Sequence, residues 1–92
     1  MEELKAIKEQ LNKGEVEEAI QKLNIYLSNL DSLHKDEADY LLGNAYRKKG
    51  DWQQALNHYQ QAIEINPESP AANARKMVID ILEFYHKDMY NQ

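Results

Sequence analysis

Small residues, aromatic residues and turn formers recur at fixed spacings in the second half of the chain. These residues are Leu42, Gly43, Tyr46, Gly50, Asp51, Ala55, Tyr59, Ala62 and Pro67. The other glycines and the prolines lie at segment boundaries. Gly43 lies inside a helical pattern instead, where a glycine costs about 1 kcal/mol relative to alanine. Gly43 therefore needs a packing reason, and together with Ala55 it predicts two helices that approach each other closely.

Apolar residues between the boundaries recur every three or four positions, which is the spacing of a helix, and no segment alternates like a strand. Asp51 is placed to cap one helix, with Gln54 as its capping-box partner, and Pro67 ends that helix. Ser69 and Pro70 begin the next one. The pattern predicts an all-α fold of five helices, at about 2–13, 15–29, 36–49, 52–65 and 70–90.

The chain also contains an internal repeat whose unit is a pair of helices. Gly14, Glu15, Ala19 and Leu23 recur as Gly50, Asp51, Ala55 and Tyr59, each shifted by 36 positions. The first copy is degenerate, because Ile7 stands where the second copy has Gly43 and Tyr26 replaces Ala62. We expect a different helix spacing or crossing angle in the first pair, and extra chain length near 30–35.

The 34-residue stretch 36–69 resembles a tetratricopeptide repeat. That family pattern has Trp, Leu-Gly, Tyr, Ala, an aromatic residue, Ala and Pro. Only the Trp position departs; Asp39 occupies it, with Tyr40 beside it as a packing substitute. The resemblance implies a short stand-alone protein of the bacterial type, with one domain over 1–92 that forms a right-handed superhelical stack of antiparallel helix pairs. A degenerate repeat over 1–35 precedes a near-consensus repeat over 36–69 and a C-terminal capping helix over 70–92.

Composition narrows the class of protein. The chain has 92 residues, a net charge of −5 and no cysteine, so disulfides and thiolate metal sites are excluded and nucleic acid is a disfavoured partner. The N-terminus lacks a signal-peptide pattern and no apolar run is long enough to span a membrane; we expect a cytoplasmic protein. The three histidines lack metal-ligand spacing and no catalytic motif occurs. We predict no enzyme activity, no cofactor and no metal.

The resemblance implies a protein-interaction module that binds a peptide or protein segment on the concave face of the stack. Position matching gives these candidate binding residues: Lys8, Leu11, Tyr40, Asn44, Arg47, Lys48, Ala74 and Val78. Lys8, Arg47 and Lys48 make this face locally basic and favour an acidic peptide with an apolar anchor. Asn44 matches the asparagine of the carboxylate clamp in some family members. The clamp's lysine partner is absent, so we do not expect a true clamp.

The last helix carries more apolar surface than a capping helix needs. Its arc of about 160° comprises Ala74, Met77, Val78, Ile81, Leu82, Phe84, Tyr85 and Met89. Polar residues at Asn73, Lys76 and Asp80 agree with a solvent-facing cap. The arc has three alternative roles: core that curls over a thin stack, a homodimer contact, or the partner-binding surface itself. A self-associating structural unit is therefore the alternative function.

Overall fold

The computed structural model describes the backbone of residues 2–90 and the side chains of residues 2–85. Within this part the chain folds into five helices and no strand, which confirms the predicted all-α class. The helices are α1 (Glu2–Asn12), α2 (Val16–Ser28), α3 (Lys35–Lys49), α4 (Trp52–Ile65) and α5 (Ala71–Tyr90). Each boundary lies within one residue of the sequence prediction. The molecule is elongated and thin, measuring 49 × 28 × 17 Å.

The turns within the two helix pairs have the same construction. Gly14 and Gly50 both adopt a left-handed backbone conformation, with φ of 88° and 79°. In each turn the glycine N–H donates to the carbonyl three residues earlier, and the next residue's N–H donates to the carbonyl five residues earlier. This is a Schellman motif, which closes a helix and reverses the chain. The shared geometry confirms that the offset of 36 residues relates two equivalent turns.

The two helices of the second pair approach more closely than those of the first. A Cβ atom on Gly43 would overlap the ring of Tyr59, whose side chain is fully buried. The missing Gly43 side chain thus lets the tyrosine ring lie flat between α3 and α4. The equivalent residues in the first unit are Ile7 and Leu23. The contact between α3 and α4 is therefore closer than that between α1 and α2, as predicted from the difference between the two units.

Helix α3 lies between two hydrophobic clusters. The first cluster joins α3 to α1 and α2 and includes Leu4, Leu23 and Leu42. The second joins α4 to α5, with Tyr59 and Val78 among its buried residues. Tyr40 and Tyr46 of α3 contact both clusters, so α3 connects the two halves of the stack.

Asp51 and Ser69 cap helices as the sequence predicts. The Asp51 carboxylate accepts a hydrogen bond from the Gln54 N–H at 3.2 Å, and the Ser69 hydroxyl oxygen accepts one from the Ala71 N–H at 3.0 Å. The extra length of the first unit lies in the α2–α3 connection. There the Tyr26 hydroxyl donates a hydrogen bond to the backbone carbonyl oxygen of Leu33. The Ser32 hydroxyl donates one to the backbone carbonyl oxygen of Tyr26 at 2.7 Å.

A polar pair occupies the position where the family pattern has Trp. Asp39 is 4% exposed, and its Oδ1 lies 3.1 Å from Nδ1 of His58 on α4. The imidazole stacks on the Tyr46 ring at a centroid distance of 5.5 Å. Tyr40, beside Asp39 in the sequence, packs against both hydrophobic clusters, and its ring lies 6.1 Å from that of Tyr59. His58 is therefore a packing residue that holds α3 against α4.

Candidate functional site

One face of α3 remains accessible, because the neighbouring helices cover the other faces. Ala38, Leu41 and Leu42 pack towards α1 and α2, while Gly43 packs against Tyr59 on α4. The accessible residues recur every three or four positions along α3, and we call this set the α3 face. It comprises Glu37, Tyr40, Asn44, Arg47 and Lys48.

A cleft of about 400 Å³ opens at the N-terminal end of the α3 face. It lies where α1, α3 and the start of α5 meet. Its lining residues are Lys8, Asp36, Glu37, Tyr40, Ser69 and Pro70. The cleft offers an aromatic ring and a proline for apolar contact, together with charged groups of both signs. The cleft therefore offers both apolar and charged groups for contact.

A partly buried hydrogen bond lies beneath the middle of the α3 face. The Tyr59 hydroxyl donates to Oδ1 of Asn44 at 2.6 Å. Burial raises the pKa of Tyr59 to about 12, while the nearby Arg47 guanidinium acts in the opposite direction. The bond fixes the Asn44 side chain from below, so its amide is held in one orientation for any ligand that crosses the face.

Charge divides the α3 face into two ends. Asp36 and Glu37 lie at the N-terminal end, and Oδ2 of Asp36 accepts a hydrogen bond from Nδ2 of Asn66 at 3.0 Å. Arg47 and Lys48 lie at the C-terminal end. Lys8 shares its cleft with two carboxylates. The sequence predicted local basic character around Lys8, Arg47 and Lys48; Arg47 and Lys48 lie together at the C-terminal end, whereas Lys8 lies among carboxylates.

The structure brings five of the eight predicted binding residues onto or beside the α3 face. They are Lys8, Tyr40, Asn44, Arg47 and Lys48. The other three are core residues: Leu11 belongs to the first cluster, and Ala74 and Val78 belong to the second. Their exposures of 2%, 9% and 0% leave no side-chain surface for a ligand. Position matching selected them because it cannot tell which face of a terminal helix turns inward.

Asp36, Ser69 and Pro70 line the cleft but were absent from the predicted set. From the sequence, Ser69 and Pro70 are interpreted only as the start of a helix, and Asp36 only as the start of a repeat. The spatial meeting of two helix starts is a tertiary feature. The sequence does contain one signal: all three residues lie at or next to the first turn of a helix, α3 or α5, and these two turns meet at the same edge of the stack.

The apolar arc of α5 divides between the core and the surface. Ala74 and Val78 are buried, whereas Met77, Phe84 and Tyr85 are 55%, 66% and 62% exposed. The rings of Phe84 and Tyr85 meet edge to face at 5.9 Å. Met89, the last residue of the predicted arc, lies outside the described side chains. Asn73, Lys76 and Asp80 are exposed, as expected of a cap.

The described part of the chain contains neither a cluster of potential metal ligands nor a membrane-spanning helix. No group of three or more potential metal-ligating side chains occurs among the described residues. None of the helices within residues 2–90 combines the length and hydrophobicity needed to cross a bilayer.

Comparison with known families agrees with the helix pairs. The model of a family described as TPR repeat matches residues 43–75, from the middle of α3 into α5. This match confirms the resemblance of the second helix pair to a tetratricopeptide repeat. This family is a non-catalytic helical scaffold that suggests a role in protein–protein interaction.

A solved structure is similar to this chain over its full length. The Bacteroides fragilis protein BF1650, determined by solution NMR, is 63% identical, with a TM-score of 0.87. The match covers 100% of this chain and 92% of that one. No curated protein matches significantly.

Proposed function

We propose that this protein binds an extended peptide segment of a partner along the α3 face. The observation that supports this most is the cleft of about 400 Å³ at the N-terminal end of the face. It is continuous with Tyr40, which lies on the same side of α3 as Asn44 and Arg47. The peptide lies over rigid helices, so binding does not require the protein to reorganise.

The charge distribution defines the kind of peptide. The distance along α3 from Glu37 to Lys48 is roughly 17 Å, at 1.5 Å per residue. An extended peptide covers this distance with about five residues. Its basic end faces Asp36 and Glu37, and its acidic or carboxylate end faces Arg47 and Lys48. An apolar side chain between them packs on Tyr40. Such a bipolar arrangement also determines the direction of the bound chain.

A library of displayed peptides of roughly ten residues tests the proposal and needs no identified partner. Selected binders are titrated against the wild-type protein and against the double variant with Arg47→Glu and Lys48→Glu. We expect at least tenfold weaker binding by the variant. We expect the fold to remain, since Lys48 is exposed and Arg47 half-buried at a helix end, and neither belongs to a hydrophobic cluster.

The matched control is Lys13→Glu, which reverses an exposed charge just after the end of α1. It alters the net charge in the same direction, away from the α3 face. Binding that weakens equally in the control and in the double variant would reflect the overall charge and contradict the proposed site. Circular dichroism of all three proteins shows whether the helices are intact.

The exposed apolar residues of α5 support a second candidate, a homodimer. Met77 and Phe84 lie seven positions apart on one side of the helix, and both are more than half exposed. Exposed apolar strips of this kind commonly mark interfaces. Sedimentation over a range of concentrations decides the matter: a dimer that is lost in Phe84→Lys supports the candidate, and a monomer at all concentrations removes it.

A further inference from the structure

An apolar groove runs along the outer side of α1 and α2, at the end of the stack away from α5. Its first part has a volume of about 390 Å³. The lining residues there are Glu3, Ala6, Ile7, Gln10, Lys22 and Ile25. A second part of about 540 Å³ adjoins it through Glu3 and Ile25 and continues to Leu33. We call both parts together the outer groove. It shares no residue with the cleft of the α3 face.

Two large apolar side chains that line the outer groove are strongly exposed. Ile25 is 70% exposed and Leu33 is 64% exposed, and Leu30 in the same connection reaches 88%. Three of the seven large apolar side chains that are exposed within residues 2–85 thus lie in or beside this groove. A concentration of this kind at a concave surface is typical of an interaction site.

The internal repeat shows what occupies the corresponding place in the second unit. A shift of 36 residues carries the first part of the groove onto Asp39, Leu42, Gly43, Tyr46, His58 and Gln61. In the second unit α2 packs against α3 there. Leu42 is consequently 0% exposed, whereas Ala6 at the same position of the first unit is exposed.

The rim of the outer groove is mainly acidic. Glu3 and Asp31 line it, and Glu18 at its edge accepts a hydrogen bond from Nε2 of Gln10 at 3.4 Å. The Lys22 ammonium group donates to Oε1 of the same glutamine at 3.0 Å. The pKa of Tyr26 is raised by burial and, in addition, by the carboxylates of Glu3 and Glu37. Cationic groups of a partner would therefore complement the rim.

We propose that the outer groove binds an amphipathic helix of a partner protein, whose apolar strip packs on Ile25 and Leu33 and whose flanks are basic. A helix is the proposed occupant because α2 fills the equivalent position in the second unit. Recognition of a helix through a strip of residues spaced three and four apart is a common mode of binding. This proposal does not depend on the function of the α3 face.

The probe for this site is a synthetic helical peptide of about 14 residues, or roughly four turns. It carries leucine at positions spaced i, i+3, i+4 and i+7 and lysine elsewhere. Titration into isotope-labelled protein should shift the amide signals of residues 3–10 and 22–33. Substitution of glutamate for every lysine in the peptide should weaken binding at least tenfold.

Ile25→Glu removes an exposed apolar side chain from the groove, and we expect at least tenfold weaker binding. Ile65→Glu is the matched control, because Ile65 is also exposed, at 53%, but lies at the end of α4. It should bind as the wild type does. Equal affinity of all three proteins, or shifts confined to α3 or α5, would overturn the proposal. Self-association that is lost in Ile25→Glu would also overturn it, since the occupant would then be a second copy.

Discussion

Gly43 and Tyr59 form the contact on which the second helix pair depends. The space that a Gly43 side chain would need is filled by the aromatic ring, and the Tyr59 hydroxyl continues past it to Asn44. The contact therefore joins the core to the α3 face, since the residue that closes the helix pair also supports the floor of the proposed site.

Gly43→Ala should destabilise the protein by about 2 kcal/mol, because overpacking of a core costs about 1–3 kcal/mol. The gain in helix propensity, about 1 kcal/mol, offsets only part of this. Urea denaturation followed by circular dichroism measures the change. The double variant Gly43→Ala with Tyr59→Leu should lose less stability than the sum of its single variants, since leucine occupies the equivalent position in the first unit. Strict additivity would contradict the contact.

Stability should also fall at high pH because of Tyr59. Burial raises its pKa to about 12 in the folded protein, whereas tyrosine in an unfolded chain ionises near 10. The unfolded state therefore loses its proton first, and the free energy of unfolding decreases as the pH rises from about 10 towards 12. Urea unfolding at several alkaline pH values measures this slope. Tyr59→Phe should reduce the slope, and an unchanged slope would contradict the assignment.

The polar pair of Asp39 and His58 shows what a sequence pattern cannot predict. The position was recognisable as a departure from the family pattern, but its partner is 19 residues away on another helix. A sequence indicates that a buried position has changed character. It does not indicate which side chain compensates, because that depends on the packing of α3 against α4.

At the scale of the helices, most of the fold follows from local signals. The positions of Gly14, Gly50, Asp51 and Pro67 determine where chain reversals and helix ends occur, and these residues act locally. The candidate site is less predictable. Leu11 and Val78 have the right repeat positions for a binding face, but both are buried. Their burial depends on how the neighbouring helices pack against α1 and α5, and repeat positions do not give this packing.

The pair of Asp39 and His58 should contribute to the contact between α3 and α4. Asp39→Ala leaves the imidazole without its partner in a half-buried site, and we expect a loss of about 1–3 kcal/mol. His58→Ala together with Asp39→Ala should cost less than the sum of the two single variants, by about 1 kcal/mol or more. Urea denaturation of the four proteins measures this coupling, and a coupling near zero would show that the two side chains act independently.

At the scale of the whole molecule, the thin stack has three surfaces with different chemistry. The α3 face is polar and bipolar in charge, the outer groove is apolar with an acidic rim, and the exposed strip of α5 is aromatic and aliphatic. A module only 17 Å thick in its shortest dimension exposes much of each helix. It can therefore present separate surfaces to separate partners.

Locating a bound peptide on the protein tests binding at the α3 face most directly. A peptide selected from the library is added to isotope-labelled protein, and the amide signals that change are mapped. We expect changes at Lys8, from Asp36 to Lys48, and at Ser69, with little change at Met77 or Phe84. Changes concentrated on α5, with an unaffected α3 face, would show that the peptide binds elsewhere and refute the proposed site.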